Sequence, residues 1–316
     1  MALDHYVSQV HLRQWGDPKI RGLLHAIKKA DRKQFTPKTR DVCRIEDGST
    51  NPYLQPPRAI EDFLLGVEPK YPQAIEKLAT GKIDRNTIFA VGGFAAYVLV
   101  CSPAGARLHA GPLKAIVEEM SRRLDKQGKF SKPPKVLGAE SFTELLDSGK
   151  LKLNVDPKFP QALGIQSIVD HTKAFGNFAW DILINPFADS PFVTSDYPIA
   201  IEVGADSTVL NRIVPLSPTL AVRICPSRRI DTENLDFSFS GFKWRIRRLT
   251  RGKVRYYNKL IVQCAESMVF FNADLPWVPD FVERYAAFRT EPVSHRFNTG
   301  GKLALVNTEV ISDDGG

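Results

Sequence analysis

Apolar residues in the first part of this chain recur at helical spacing, and after Phe178 they gather into short β-rich runs. Ile60, Phe63, Leu64 and Val67 fall at i, i+3, i+4 and i+7, which predicts a core-facing helix over Ala59 to Val67. Pro69 and Pro72 stop it, and a shorter helix follows around Ile75 to Leu78. The longest apolar run, Ile88 to Cys101, is too short to span a bilayer. It reads as a buried helix capped by Asp84 and terminated by Pro103 and Gly105, with Gly92 and Gly93 allowing another element close approach. Leu113, Ile116, Val117, Met120 and Leu124 form the next stripe, and Ser141 with Glu144 has capping-box spacing.

The period then changes. Phe178 to Ile184, Phe192-Val193, Ile199 to Val203, Val209 to Val214 and Leu220 to Ile224 are β-rich segments broken by Pro, Asp and Gly. Arg245 to Leu249 and Lys253 to Tyr257 flank Thr250-Arg251-Gly252 and read as a hairpin. Helices are expected over Leu260 to Phe270 and Val278 to Phe288, then a polar, Gly-rich tail with at most one strand, Leu303 to Val306. The expected class is α+β: a helical half over 1–177, a largely antiparallel sheet over 178–257 and helices over 258–290. These form one domain over 1–290, with 291–316 as the tail.

Composition narrows the class without naming a function. The chain has 316 residues, 43% hydrophobic and 25% charged, as in an ordinary soluble globular protein. A net charge of +8 leans towards acidic partners such as nucleic acid. Cys43, Cys101, Cys225 and Cys264 are scattered without the close pairs of a zinc ribbon or disulfide framework, so a reducing cytoplasm is the expected setting. Residues 1–15 carry no long apolar stretch of the kind a secretory signal needs, and no membrane anchor is visible. Phosphate-cradling Gly-rich Lys-Ser/Thr loops, dinucleotide fingerprints and His-Glu-x-x-His are absent.

Two short segments stand out. The first is His5-Tyr6-Val7-Ser8-Gln9 leading into Leu12-Arg13-Gln14-Trp15; the second is Phe192 to Pro198, containing Thr194-Ser195-Asp196-Tyr197. Taken in order with Glu61, Glu68, Trp180, Pro215 to Pro218, Asn258 and Ala265, they make the chain resemble a largely bacterial family, the domain of unknown function numbered 4238. Members open with a His-Tyr-Val-Pro-Gln-like segment and carry a central aromatic-Thr-Ser-Asp-Asn-Pro. Here Ser8 replaces the proline, Tyr197 replaces the asparagine, and Cys101-Ser102-Pro103 stands where an Arg-x-Pro is usual. The resemblance implies a family and carries no activity with it.

His5 and Asp196 are the candidate catalytic pair, an imidazole that titrates near neutrality and a carboxylate at a strand end. Tyr6, Arg13, Thr194, Ser195 and Asn258 are candidate substrate-binding residues. Each has a plainer reading: Asp196 as a turn residue, Asn258 as a helix cap, His11 as structural. Glu61 and Glu68 lie two helical turns apart on one face, able to point into one cavity or simply to be solvated. Arg245, Arg247 and Arg255 are the candidate nucleic-acid contacts, on two basic strands that would track phosphates; Lys28, Lys29, Arg32 and Lys33 would extend that surface.

The expected function is hydrolysis of a phosphodiester, in nucleic acid, with a divalent metal as the cofactor such chemistry calls on. The alternatives are a non-catalytic nucleic-acid or protein-interaction module, and a small-molecule hydrolase or transferase with an Asp-His pair. His5 is expected within hydrogen-bond or water-bridged reach of Thr194 to Asp196, and the question is whether His5, Arg13, Asp196 and Asn258 share one pocket.

Overall fold

A computed structural model describes residues 3–204, 206, 209–227, 235–299 and 302–313. The chain is a mixed α+β protein, helix-rich before residue 178 and strand-rich with further helices after it. The first 58 residues depart from the expected helical half. They hold β1 (Leu3–His5), the single-turn α1 (Gln9–Leu12), β2 (His25–Lys28), β3 (Gln34–Phe35) and β4 (Arg44–Glu46). These strands are too short to show a period of their own. They persist because β1 pairs with β4, while β2 is zipped to a strand from the far end of the chain.

The helices follow as α2 (Ala59–Val67), α3 (Tyr71–Thr80), α4 (Arg85–Cys101), α5 (Pro103–Lys126), α6 (Phe142–Asp147), α7 (Lys158–Gln166) and α8 (Ile168–Asn177). Helix α4 is the axle, buried from Ala90 through Cys101. Asp84 caps it, its carboxylate accepting from Thr87 N at 2.8 Å. α4 ends at Cys101, before Pro103 as expected, and Pro103 is also the first residue of α5, where a missing N–H costs nothing; Ser102 Oγ caps that turn by accepting from Gly105 N. Gly92 lies against the backbone of α8, since an added Cβ would sit 3.4 Å from Thr172 O. At Gly93 the same atom would meet Val67 Cγ2 at 2.7 Å. Gly93→Leu is therefore expected to overpack the α2–α4 contact, at a cost of about 1–3 kcal/mol or more; an unchanged melting temperature would refute that placement. The stripe on α5 turns out largely exposed at Ile116, Val117, Met120 and Leu124.

The second half builds two sheets. β5 (Ala179–Ile184), β7 (Ala200–Val203), β8 (Leu210–Ser217), β9 (Leu220–Cys225) and β10 (Trp244–Arg248) form one in the order β10-β5-β9-β8-β7. All pairs are antiparallel except β10 with β5. β6 (Thr194–Ser195) and β11 (Met268–Phe271) join β2 and β3 in the other, ordered β3-β2-β11-β6.

The expected basic hairpin does not form. Thr250 is a cap, its hydroxyl accepting from Lys253 N, and α9 runs over Arg251–Cys264. Val254, Tyr257, Asn258 and Ile261 are buried at i, i+3, i+4 and i+7, so helical burial outweighs the turn-like Thr-Arg-Gly. The expected helix through Phe270 stops at Cys264, and Met268–Phe271 is strand. α10 (Val278–Tyr285) follows, and the expected polar tail is instead a long antiparallel hairpin, β12 (Phe288–Thr299) with β13 (Lys302–Asp313). Arg212 on β8, with only 11% of its side chain exposed, clasps Glu309 of that hairpin through two hydrogen bonds of 2.6 and 2.7 Å. Among the described residues no single helix is long and apolar enough to cross a membrane.

Candidate functional site

The two signature segments do meet, but through different side chains from those expected. His11, not His5, reaches the central segment: its Nε2 lies 2.8 Å from the Thr194 hydroxyl and its Nδ1 2.8 Å from the Tyr71 hydroxyl. Its ring stacks on Phe94 at 4.5 Å, and burial pushes its pKa down to about 3, so the imidazole is neutral. Trp15 Nε1 donates to Phe192 O at 3.1 Å. Asn258 closes the knot, its Oδ1 accepting from Val193 N and its Nδ2 donating to Pro191 O. Ser195 Oγ accepts from Tyr197 N.

Asp196 is 1% exposed and engaged on both oxygens. Oδ1 accepts from Glu266 N at 2.9 Å; Oδ2 accepts from Ser267 N, Ser267 Oγ and Met268 N at 2.8, 2.6 and 3.0 Å. Burial pushes its pKa up to about 6, against the pull of the Ser267 and Glu266 donors. The carboxylate pins the turn between α9 and β11 and lines none of the described clefts that hold His5 or Asn258. Tyr6, the neighbour of His5, is buried beside Cys43 and feels the Asp196 charge, while His5 itself serves a different pocket.

That pocket, about 320 Å³, is lined by His5, Arg13, Glu61 and Glu68 together with Asp4 and Gln9. Strand β1 and helix α1 present the first group, and α2 with the turn after it presents the glutamates. Of the four residues expected to converge, His5 and Arg13 do, and Asp196 and Asn258 do not. Glu61 and Glu68, for which a shared cavity and a solvated face were both open, line it instead.

Ser8 donates to Glu68 Oε1, fixing that carboxylate. Asp4 accepts from Ser49 N and Arg58; burial would raise its pKa, yet the Arg58 and Ser49 bonds leave it lowered. Arg58 also pairs with Glu61. The Arg13 side chain has no ion-pair or hydrogen-bond partner among the described residues. His5 Nε2 is shut off from solvent without a hydrogen-bond partner. Burial and the Arg44 charge lower the His5 pKa, only partly offset by the Arg40 and Thr39 carbonyls and by Glu68.

What the pocket offers is thus a neutral imidazole, a carboxylate held on one oxygen by Ser8 and one guanidinium, free among the described residues. Sequence reasoning could find Glu61 and Glu68 by their shared face. Nothing in the sequence announces that Ser8, sixty residues earlier, would orient Glu68.

The expected nucleic-acid contacts are dispersed. Asp181 on β5, directly across from Arg245, binds Arg245 and takes Arg223 at 3.1 Å and Arg247 at 3.6 Å. Arg255 lies on α9 and faces another cleft. Lys29 is buried, donating to Ala265 O at 2.7 Å, and Arg32 pairs with Glu283. The cations of β10 guard a sheet edge. Among the described residues no group of three or more His, Cys, Asp and Glu side chains is arranged to hold a metal ion, so the expected divalent metal finds no ligand set there.

Comparison with curated proteins and with solved structures gives no match. The comparison that does match, over residues 4–274, is with the family described as Protein of unknown function (DUF4238), and the chain belongs to that family.

Proposed function

We propose that this chain is a hydrolase of small phosphodiesters, and that its active site is the pocket of His5, Arg13, Glu61 and Glu68. One observation carries the reading: a histidine with an unsatisfied, shielded nitrogen shares a pocket with an arginine that has no partner of its own. A lowered pKa keeps His5 neutral at pH 7, and once the ring turns its buried Nε2 into the pocket, that form accepts a proton from attacking water. A phosphodiester carries one negative charge, which a single guanidinium balances. Glu68, held by Ser8, would stabilise the imidazolium formed as water attacks. The leaving alkoxide then takes that proton from His5, which restores the base. Space of about 320 Å³ suits a small diester or one internucleotide link more than a duplex.

A chromogenic diester, bis(p-nitrophenyl) phosphate, tests this. Wild type should turn it over, with His5→Asn lowering kcat by about 10²–10⁴ at little cost in Tm. Arg13→Gln should act mainly through KM. The rate should fall only in acid, on a limb with its midpoint below histidine's ordinary 6.5, because the base must be unprotonated. No turnover by wild type from about pH 5 to 9, or an undiminished rate in His5→Asn, overturns the reading.

A second reading, the non-catalytic module, is favoured by Asp196 alone, whose carboxylate is wholly occupied in locking the chain together.

A further inference from the structure

A second cleft lies between α9, α10 and the loop around Asp189, with a volume of about 600 Å³. It has no part in the proposed hydrolysis. Three arginines line it, Arg251, Arg255 and Arg284, and they are not equivalent. Arg251 is committed: it bonds both oxygens of Asp189 at 2.9 and 2.8 Å, and its guanidinium lies over the Phe187 ring, 4.4 Å from the centroid. Arg255 and Arg284 are exposed and have no ion-pair or hydrogen-bond partner among the described residues. Two uncommitted guanidiniums facing one concave space repel each other, and an anion with several oxygens is what relieves both.

The cleft also offers a flat apolar surface. Trp277 lines it, its indole held by a hydrogen bond from Nε1 to Asp189 O at 3.2 Å and by the Phe281 ring at 5.5 Å. An indole anchored by its N–H keeps a π-face for a ring to stack on. Asp280 on the first turn of α10 adds an acceptor for hydroxyl or amine donors. Counting Asp189 and Asp280 against the three arginines leaves the lining one positive charge in excess.

A phosphate, an aromatic ring and hydroxyl donors within one ligand describe a nucleotide. We propose that this cleft binds a nucleotide unit, with Arg255 and Arg284 on the phosphate, Trp277 against the base and Asp280 on the sugar hydroxyls. That unit is either free or the phosphorylated end of a nucleic-acid strand. It replaces the expected basic ribbon with a compact site that keeps Arg255 of the three candidate contacts and Arg251 of the turn between them.

The full chain is titrated with AMP, adenosine, inorganic phosphate and a single-stranded oligonucleotide with and without a 5′-phosphate, following tryptophan fluorescence and calorimetric heat. AMP should bind saturably and quench the fluorescence, with adenosine and inorganic phosphate each about tenfold weaker or worse. Arg255→Gln with Arg284→Gln should abolish AMP binding while leaving the melting temperature and the diesterase rate unchanged, because neither side chain holds the fold together or lines the His5 pocket. A 5′-phosphorylated strand binding more tightly than AMP assigns the strand end, and equal binding assigns the free nucleotide. The proposal falls if neither AMP nor the phosphorylated strand saturates the protein, or if the double variant binds AMP as wild type does.

Discussion

Asp196→Asn should lower the stability of this protein by about 1.5–3 kcal/mol at pH 7.5, the cost of losing a charge-assisted acceptor in the interior. An amide has one oxygen where the carboxylate has two, so one side of the new residue sets an NH2 against backbone donors from Glu266, or from Ser267 and Met268. Asp196→Ala is harsher, leaving four donors of a part-buried turn without an acceptor, at up to about 1–3 kcal/mol each. Against a total stability of about 5–15 kcal/mol, that variant should not accumulate as folded protein. Urea denaturation of the Asn variant checks the first figure and soluble yield the second. An Asn variant that unfolds with the wild type would show that the turn does not depend on this carboxylate.

The second large effect is acid sensitivity. His11 titrates at about 6.5 in the unfolded chain and near 3 in the fold, so between those values the unfolded chain holds the extra proton. Its contribution to stability is fully present above pH 6.5 and is lost by about 1.4 kcal/mol for each pH unit below it. Asp196 acts in the opposite sense. Raised to about 6, it is protonated first in the fold, so ionising it costs stability as pH rises from 3.8 through 6, a cost that stands beside the hydrogen bonds the carboxylate accepts. The two slopes oppose each other in the mildly acid range, and the whole protein conceals both. Comparison with His11→Gln separates them: the stability difference between wild type and variant should shrink by that increment per pH unit below 6.5. A difference that stays constant from neutrality to about pH 5 would mean that His11 is not the group responsible.

What was legible in the sequence was what local periodicity encodes. The stripe of Ile60, Phe63, Leu64 and Val67, the Asp84 cap and the strands of Phe178 to Ile184, Ile199 to Val203, Val209 to Val214 and Leu220 to Ile224 stand close to where their spacing places them, whereas Phe192-Val193 is not strand and β6 begins at Thr194. Errors arose where local chemistry had two meanings. Thr250-Arg251-Gly252 is as good a helix start as a turn, and only the burial of Val254, Tyr257 and Ile261 decides between them. Strands β12 and β13 read as a tail because pairing across a hairpin leaves little trace in polar residues.

At the candidate site, His5 and Arg13 were visible as members of the segment that opens the chain. Their partners Glu61 and Glu68 were visible only as a possibility, because a helix face is the same whether it meets water or a cavity. The exchange of His11 for His5 at Thr194 was beyond reach. Three residues outside helix and strand, Tyr6 to Ser8, separate the strand that carries His5 from the helix that carries His11.

The clasp between Arg212 and Glu309 ties the family's own architecture to something outside it. Arg212 lies within the span shared by the family, and Glu309 lies beyond residue 274, where that match ends. A guanidinium so shielded cannot shed its proton, and without an opposing carboxylate it is an uncompensated interior charge. The sheet therefore borrows its electroneutrality from the hairpin. Arg107 repeats the arrangement, meeting Glu291 at 3.0 Å as well as Glu266. In this chain the family's domain depends on the residues that follow it: a version trimmed at residue 274 would have to replace the charge of Glu309 opposite Arg212 before it could close its own core, whereas Arg107 would keep Glu266.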